Sequence, residues 1–256
     1  MSLGEQVLEA EGLSKSFGGV QAVRDMTFAV ASGELVALIG PNGAGKSTCF
    51  NMLMGQLAGD AGRVRIMGED VTGWPPRRIW RKGVGRTFQI TQVLPSFTVR
   101  ENVQMALLSH RRRLFDVFGR ARNAEAAVAD ALLQRVGIAA LADRACGLLA
   151  YGDLKRVELA IALANQPRLL LMDEPTAGMA PAERVALMEL AAGIAKADGV
   201  GILFTEHDMD VVFGHADRIM VMHRGSLIAE GSPREVRDDP EVRAVYLGSS
   251  LDLGDR

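Results

Sequence analysis

The sequence predicts an α/β fold on a mostly parallel sheet, with an antiparallel β portion near its start and an inserted α-helical segment in its middle. Three observations carry that expectation. Two continuous apolar runs, residues 35–39 and 169–172, are bounded by turn residues or carboxylates, as strands buried on both faces are. Strand-like and helix-like segments alternate around them, the order that builds a parallel sheet. Between about residues 89 and 148 the composition shifts to Ala, Leu and Arg, which suits helices.

Taken in chain order, Val7-Leu8-Glu9-Ala10 and Met26-Thr27-Phe28-Ala29-Val30 read as short strands, and Ser32-Gly33 marks a turn. Leu35-Val36-Ala37-Leu38-Ile39 breaks at Gly40-Pro41-Asn42-Gly43, and residues 48–57 read as a helix. In the middle segment Asn123 is placed to cap a helix through Arg135, with Gly137 just past its end. A further helix is expected over 154–165. The run Leu169-Leu170-Leu171-Met172 ends in Asp173-Glu174-Pro175, and Pro181 opens the next helix, where proline is tolerated. Residues 201–205 and 219–222 are strands, and Arg224-Gly225 turns the chain back into Leu227-Ile228-Ala229. Two lobes follow: an α/β lobe from 5–90 and 160–237, and a helical lobe from 91–159, with 238–256 as a tail.

The composition narrows the function classes. Of 256 residues, 48% are hydrophobic and 23% charged, enough to bury a core, and with aromatics at 5% aliphatic side chains must fill it. The net charge of −2 argues against nucleic-acid binding through a global basic field. Cys49 and Cys146 are too few for a disulfide framework, and Cys49, in an apolar helical stretch, is expected as a buried thiol. No apolar run reaches the ~18 to 20 residues of a membrane helix, and the N-terminus lacks the features of a signal peptide. The expectation is a cytoplasmic protein whose membrane association comes through a partner.

The chemistry begins at Gly40-Pro41-Asn42-Gly43-Ala44-Gly45-Lys46-Ser47, which fits the phosphate-loop pattern. Its glycines let backbone N–H groups converge on phosphate oxygens. The helix starting near Lys46 aims its positive end at the same anion. Lys46 supplies a cation for the β- and γ-phosphates, Ser47 a hydroxyl for Mg²⁺, and Thr48 a contact to an α-phosphate oxygen. Asp173, at the end of a buried strand, is the acidic partner for Mg²⁺. Glu174 beside it can orient and polarise the water that attacks the γ-phosphate. His207, just past the strand ending at Thr205, lies on the edge where α/β folds bind ligands. On its own such a histidine is more often structural or solvent-exposed.

Five separated motifs together resemble an ABC-type ATPase over nearly the whole chain: residues 40–48, Gln89 within Arg86-Thr87-Phe88-Gln89, Leu149-Ala150-Tyr151-Gly152-Asp153, residues 169–175, and His207. The resemblance implies a phosphate-loop NTPase core and makes Gln89 the glutamine that reaches Mg²⁺ and the attacking water. It makes His207 the switch histidine and Phe17 the aromatic that stacks on adenine. It implies a second ATP-binding subunit, the same or different, whose bound γ-phosphate meets the helix after Gly152. Permease subunits in the inner membrane, and indirectly a solute-binding protein, are implied as well, with the chain peripheral on the cytoplasmic face. The segment departs from the family's Leu-Ser-Gly-Gly-Gln: Ala150 lacks the serine hydroxyl, and Asp153 brings a negative charge near an anion. Ala180 stands where the family usually places aspartate.

Within the family the chain most resembles ATP-binding subunits of branched-chain amino-acid importers. Gly85-Arg86-Thr87-Phe88-Gln89, Tyr151, Pro175-Thr176-Ala177-Gly178-Met179, Val245-Tyr246-Leu247-Gly248 and the insertion with Arg111-Arg112-Arg113 carry that likeness. Urea and amide importers share the subtype. A soluble cluster-assembly ATPase stays open, as does a non-hydrolysing nucleotide-binding regulator, given Ala150 and Asp153. A GTPase is disfavoured, because no Asn-Lys-x-Asp occurs.

Overall fold

In the computed structural model, which describes residues 5–87, 93–110 and 120–247, the chain opens with a long antiparallel hairpin. β1 (Gln6–Phe17) and β2 (Val20–Ala31) each run 12 residues, where the sequence suggested short strands. Register shifts along the pair absorb the irregular spacing that hid their length. β3 (Leu35–Ile39) follows, then α1 (Lys46–Leu53), β4 (Ala61–Ile66), β5 (Glu69–Asp70), α2 (Pro76–Arg81) and β6 (Val84–Thr87). The middle holds α3 (Val99–His110), α4 (Arg120–Arg135) and, after two short 3₁₀ turns, α5 (Tyr151–Leu163). The chain then alternates: β7 (Leu169–Asp173), α6 (Pro181–Asp198), β8 (Gly201–Thr205), α7 (Met209–His215), β9 (Arg218–His223) and β10 (Ser226–Gly231). Helices α8 (Pro233–Asp238) and α9 (Pro240–Leu247) follow.

Two sheets form. The antiparallel one has the order β2-β1-β4-β5, and the larger one β10-β9-β3-β8-β7-β6. In the larger sheet β9, β3, β8, β7 and β6 are parallel neighbours, and only β10 is antiparallel. Side chains alternate across a strand, so each central strand feeds two cores. Leu35, Ala37 and Ile39 join Leu170, Met172, Ile202, Phe204, Ile219 and Val221 against the helical side. Val36 and Leu38 join Leu169, Leu171, Leu203, Met220 and Met222 against α1 and the antiparallel sheet. The all-apolar runs therefore reflect burial on both faces, as the sequence predicted. Val103 and Leu107 of α3 and Ala129 and Leu133 of α4 share the helical-side core with α5.

Several boundaries differ from expectation. α1 ends at Leu53 rather than at residue 57, because Gly55 turns left-handed (φ 64°) and a Cβ there would lie 2.0 Å from the Trp74 carbonyl oxygen. α4 has begun by Arg120, so Asn123 sits inside it rather than at its cap, while Gly137 (φ 76°) ends it as expected. α5 runs over 151–163 instead of 154–165, and the expected lobe boundary at 159/160 falls inside it. The β9–β10 turn is as read: Arg224 (φ 47°) and Gly225 (φ 89°) both take the positive φ of a type I′ hairpin. Among the described residues, no helix is long and apolar enough to cross a membrane.

Candidate functional site

The strand order assembles the site. β3, β8, β7 and β6 are consecutive parallel neighbours, so their C-terminal ends lie side by side on one edge of the sheet. β3 delivers residues 40–47, β8 delivers His207, and β7 delivers Asp173 and Glu174. β6 leads towards Gln89, which lies outside the described residues. An open cleft of about 210 Å³ results, lined by Ala22, residues 42–48, Glu174 and His207.

The loop needs its glycines. Gly45, the residue before α1, has φ 110°, and a Cβ on it would lie 2.0 Å from the Ala22 carbonyl oxygen. Gly40 (φ 153°) is as tightly held: a Cβ on it would lie 2.0 Å from the Met222 carbonyl oxygen. These close approaches fold the loop over the start of α1, whose first-turn N–H groups have no intrahelical acceptor. Lys46 is buried and donates from Nζ to the carbonyls of Gly40 (2.6 Å) and Pro41 (3.2 Å). Burial lowers its pKa from the ordinary lysine value, while the charges of Glu174 and Asp173 oppose that shift.

Asp173 and Glu174 are adjacent but held differently. Asp173 Oδ1 accepts from the Thr205 hydroxyl (2.9 Å), and Oδ2 lies 3.5 Å from the Arg86 guanidinium. Glu174 takes φ 47°, a left-handed conformation uncommon for a side-chain-bearing residue. Its N–H donates to the Thr205 carbonyl (3.2 Å) and hydroxyl (3.1 Å). Turned this way, Glu174 Oε1 meets His207 Nε2 at 2.8 Å, with His207 46% exposed on its side chain. The structure thus joins a carboxylate and a histidine 33 residues apart, at the mouth of the phosphate loop.

The other sequence-predicted residues lie outside the cleft lining. Phe17 is 48% exposed at the end of β1, so it is not a core aromatic, and Lys15 Nζ stands 5.6 Å from its ring centre. Asp60 pins this strand end, accepting from Lys15 Nζ and the Ser16 N–H, each at 2.7 Å. The segment Leu149-Ala150-Tyr151-Gly152-Asp153 forms the entry to α5. Ala150 is the N-cap and offers no side-chain acceptor, and Asp153 sits in the first turn. There Asp153 complements the helix dipole of its own chain, although the same charge disfavours an incoming anion. Gly152 packs so closely on α6 that a Cβ would lie 2.9 Å from the Glu183 carboxylate, and Tyr151 covers Gly178. Ala180 caps α6 without a side-chain bond, but Glu183 accepts from its N–H at 3.2 Å.

Three contacts escaped sequence reasoning. Arg86 reaches Asn51, Gln56 and Asp173 from β6. Thr205 touches both carboxylate-bearing residues. Glu206 bridges Thr176 and the His207 backbone. Arg86 is a charged residue within β6 and Glu206 one directly after the fully buried β8, and a charge placed so close to a buried strand is the signal that could have flagged them.

Comparisons with known proteins identify the family of the chain. The family model described as "ABC transporter" matches residues 23–177, and one described as "Branched-chain amino acid ATP-binding cassette transporter" matches residues 226–252. The chain is 38% identical over 251 residues to a high-affinity branched-chain amino acid transport ATP-binding protein, BraF, of Pseudomonas aeruginosa. That match covers 95% of this chain and 98% of the relative. It is 37% identical over 257 residues to the corresponding LivG protein of Escherichia coli, covering 97% and 100%. Among solved structures, an ATP-binding cassette of an ABC transporter in its ADP conformation superposes with a TM-score of 0.85 at 33% identity, covering 95% of this chain and 99% of that one.

Proposed function

This chain belongs to the ABC transporter ATP-binding family, and from that premise we propose that it is the ATP-hydrolysing subunit of an importer for branched-chain or related amino acids. The observation that carries the catalytic part is the meeting of residues 42–48, Glu174 and His207 in one cleft, with Glu174 and His207 2.8 Å apart. The amino-acid part rests on the BraF and LivG relatives and on the match at residues 226–252.

The residues divide the work. Backbone N–H groups from Asn42, Gly43, Ala44 and Gly45 and the α1 N-terminus bind the phosphates, with Lys46 turning from the loop carbonyls to the β- and γ-oxygens. Thr48 holds the α-phosphate, and Phe17 stacks on the adenine. Glu174 orients the attacking water and accepts its proton, and His207 fixes Glu174 and donates to the γ-phosphate.

Mg²⁺ fits the donors at hand. Among the described residues no cluster of three His, Cys, Asp or Glu exists to cage a metal. The Ser47 hydroxyl and the Asp173 carboxylate are the hard oxygen donors that suit a cation completed by phosphates and water. Gln89 joins them in this reading. Held by these residues, Mg²⁺ would supply charge neutralisation at the phosphates.

The entry to α5, residues 149–153, serves a second subunit, identical or homologous, by presenting N–H groups to the γ-phosphate bound there. With the boundary moved to the end of α5, residues 5–90 and those from β7 to 237 act as the nucleotide lobe and 91–163 as the helical lobe, which faces integral membrane permease subunits at the cytoplasmic surface. A solute-binding protein supplies the amino acid on the far side.

The test is Glu174→Gln in the assembled transporter. Glutamine keeps the shape but loses the charge that polarises water, so phosphate release should fall by ~10²- to 10⁴-fold while ATP still binds. Uptake of labelled leucine should stop with it. Wild-type phosphate release by the variant would remove Glu174 from its role.

A further inference from the structure

Glu206 is a buried carboxylate that the hydrolytic scheme above does not use. It follows β8, and only 3% of the residue is exposed. A carboxylate that deep is costly unless donors surround it. Three do. Oε1 accepts from the Thr176 N–H at 2.9 Å and from the Thr176 hydroxyl at 2.5 Å, and Oε2 accepts from the His207 N–H at 3.0 Å.

These bonds close a ring. Glu174 and Thr176 lie two residues apart on the turn after β7, and Glu206 and His207 are consecutive after β8. Glu206 ties the first turn to the second at Thr176, and the 2.8 Å contact of His207 Nε2 with Glu174 Oε1 ties them again. With Glu206 in place, His207 cannot drift from Glu174 without disturbing a partly buried backbone hydrogen bond to the carboxylate. We propose that Glu206 is a positioning residue for ATP hydrolysis, holding the Glu174–His207 pair at working distance through Thr176 and the His207 backbone. The inference rests on the roles given above to Glu174 and His207.

The geometry demands an acceptor-only group. Each carboxylate oxygen takes one backbone N–H, so a glutamine here sets its NH₂ against a backbone N–H in either flip. The experiment compares Glu206→Gln, Thr176→Val, Thr176→Ser, the Glu206→Gln/Thr176→Val double variant and Glu174→Gln in the assembled transporter. It reads kcat, the KM for ATP and the stoichiometry of ATP binding. Glu206→Gln should lower kcat by about 10- to 100-fold, the scale of a misplaced catalytic group, with KM and stoichiometry unchanged. Thr176→Val should lower kcat less, Thr176→Ser should keep it, and the double variant should be no slower than Glu206→Gln alone, because both act through one link.

Wild-type kcat in Glu206→Gln overturns the inference. So does a loss of kcat matched by an equal loss of ATP-binding sites, which marks a merely structural role, and so do additive losses in the double variant. If Glu206→Gln fails to fold, Thr176→Val against Thr176→Ser decides the question, and equal kcat in the two overturns it. Glu174→Gln separates the levels. If that variant hydrolyses normally, the underlying reading fails; if it is inactive while Glu206→Gln is normal, only the role of Glu206 fails.

Discussion

At the scale of single residues the site depends on charges held against their solvation preference. Lys46 is buried with its Nζ on two loop carbonyls, and burial already lowers its pKa. The charges of Glu174 and Asp173 oppose that shift. Lys46→Ala removes the dominant cation and should abolish tight ATP binding, measured by titration with a fluorescent ATP analogue. Affinity equal to wild type would mean that residues 40–47 are not the phosphate site. Cys49, three residues on, is fully buried, and burial pushes its thiol up to about 12 from an ordinary 9.0. Its thiolate is therefore scarce at pH 8, and a thiol reagent should modify Cys49 only as fast as the chain opens. The sign for stability follows: a thiol raised on folding adds stability below pH 9 that is lost as pH rises through about 12. Rapid labelling of native protein at pH 8 would contradict the buried placement.

At the scale of elements the caps decide how the catalytic edge is held. α7 begins two residues after His207, and Asp208 between them caps it by accepting from the N–H groups of Asp210 and Val211. The same carboxylate pairs with Arg184 of α6 at 2.5 Å, so one side chain joins two helices beside the histidine. Asp208→Ala loses the cap and the pair together and should cost about 1 to 2 kcal/mol of stability, read from urea denaturation. Asp208→Asn keeps the cap and should cost less; equal costs would show that the ion pair, not the cap, matters. α5 behaves differently, because its N-cap is an alanine and its first-turn N–H groups gain no side-chain partner from it.

At the scale of the whole molecule the proposed function divides the site between two places on the chain. The phosphate-loop cleft is on the sheet edge, and the entry to α5, packed on α6, is not part of its lining. Under the proposed function a complete site takes a second subunit, and ATP should drive the pairing. Sedimentation of Glu174→Gln, alone or with its mate, should show a dimer that forms with ATP and dissolves without it. No ATP-dependent dimer in either mixture would overturn the two-subunit arrangement.

Local chemistry settled much of this before any folding. The phosphate loop is legible because its glycines, lysine and serine are contiguous and each is required by one backbone or phosphate contact. The buried strands are legible because burial on both faces leaves no polar residue in the run. Gly137, Pro181 and Arg224-Gly225 mark boundaries through φ alone. The length of β1 and β2 was hidden because register shifts break the alternation that sequence reading relies on. The end of α1 was hidden because Gly55 is fixed by a carbonyl from Trp74, far along the chain. The strand order β3-β8-β7-β6 could not be read either, since parallel neighbours are chosen by packing between remote segments. That order alone sets Glu174 against His207, turns Arg86 onto Asp173 and buries Glu206 among three donors. Sequence named the reactive groups, because their chemistry is local; tertiary structure decided their distances and partners, because those depend on which strands lie side by side.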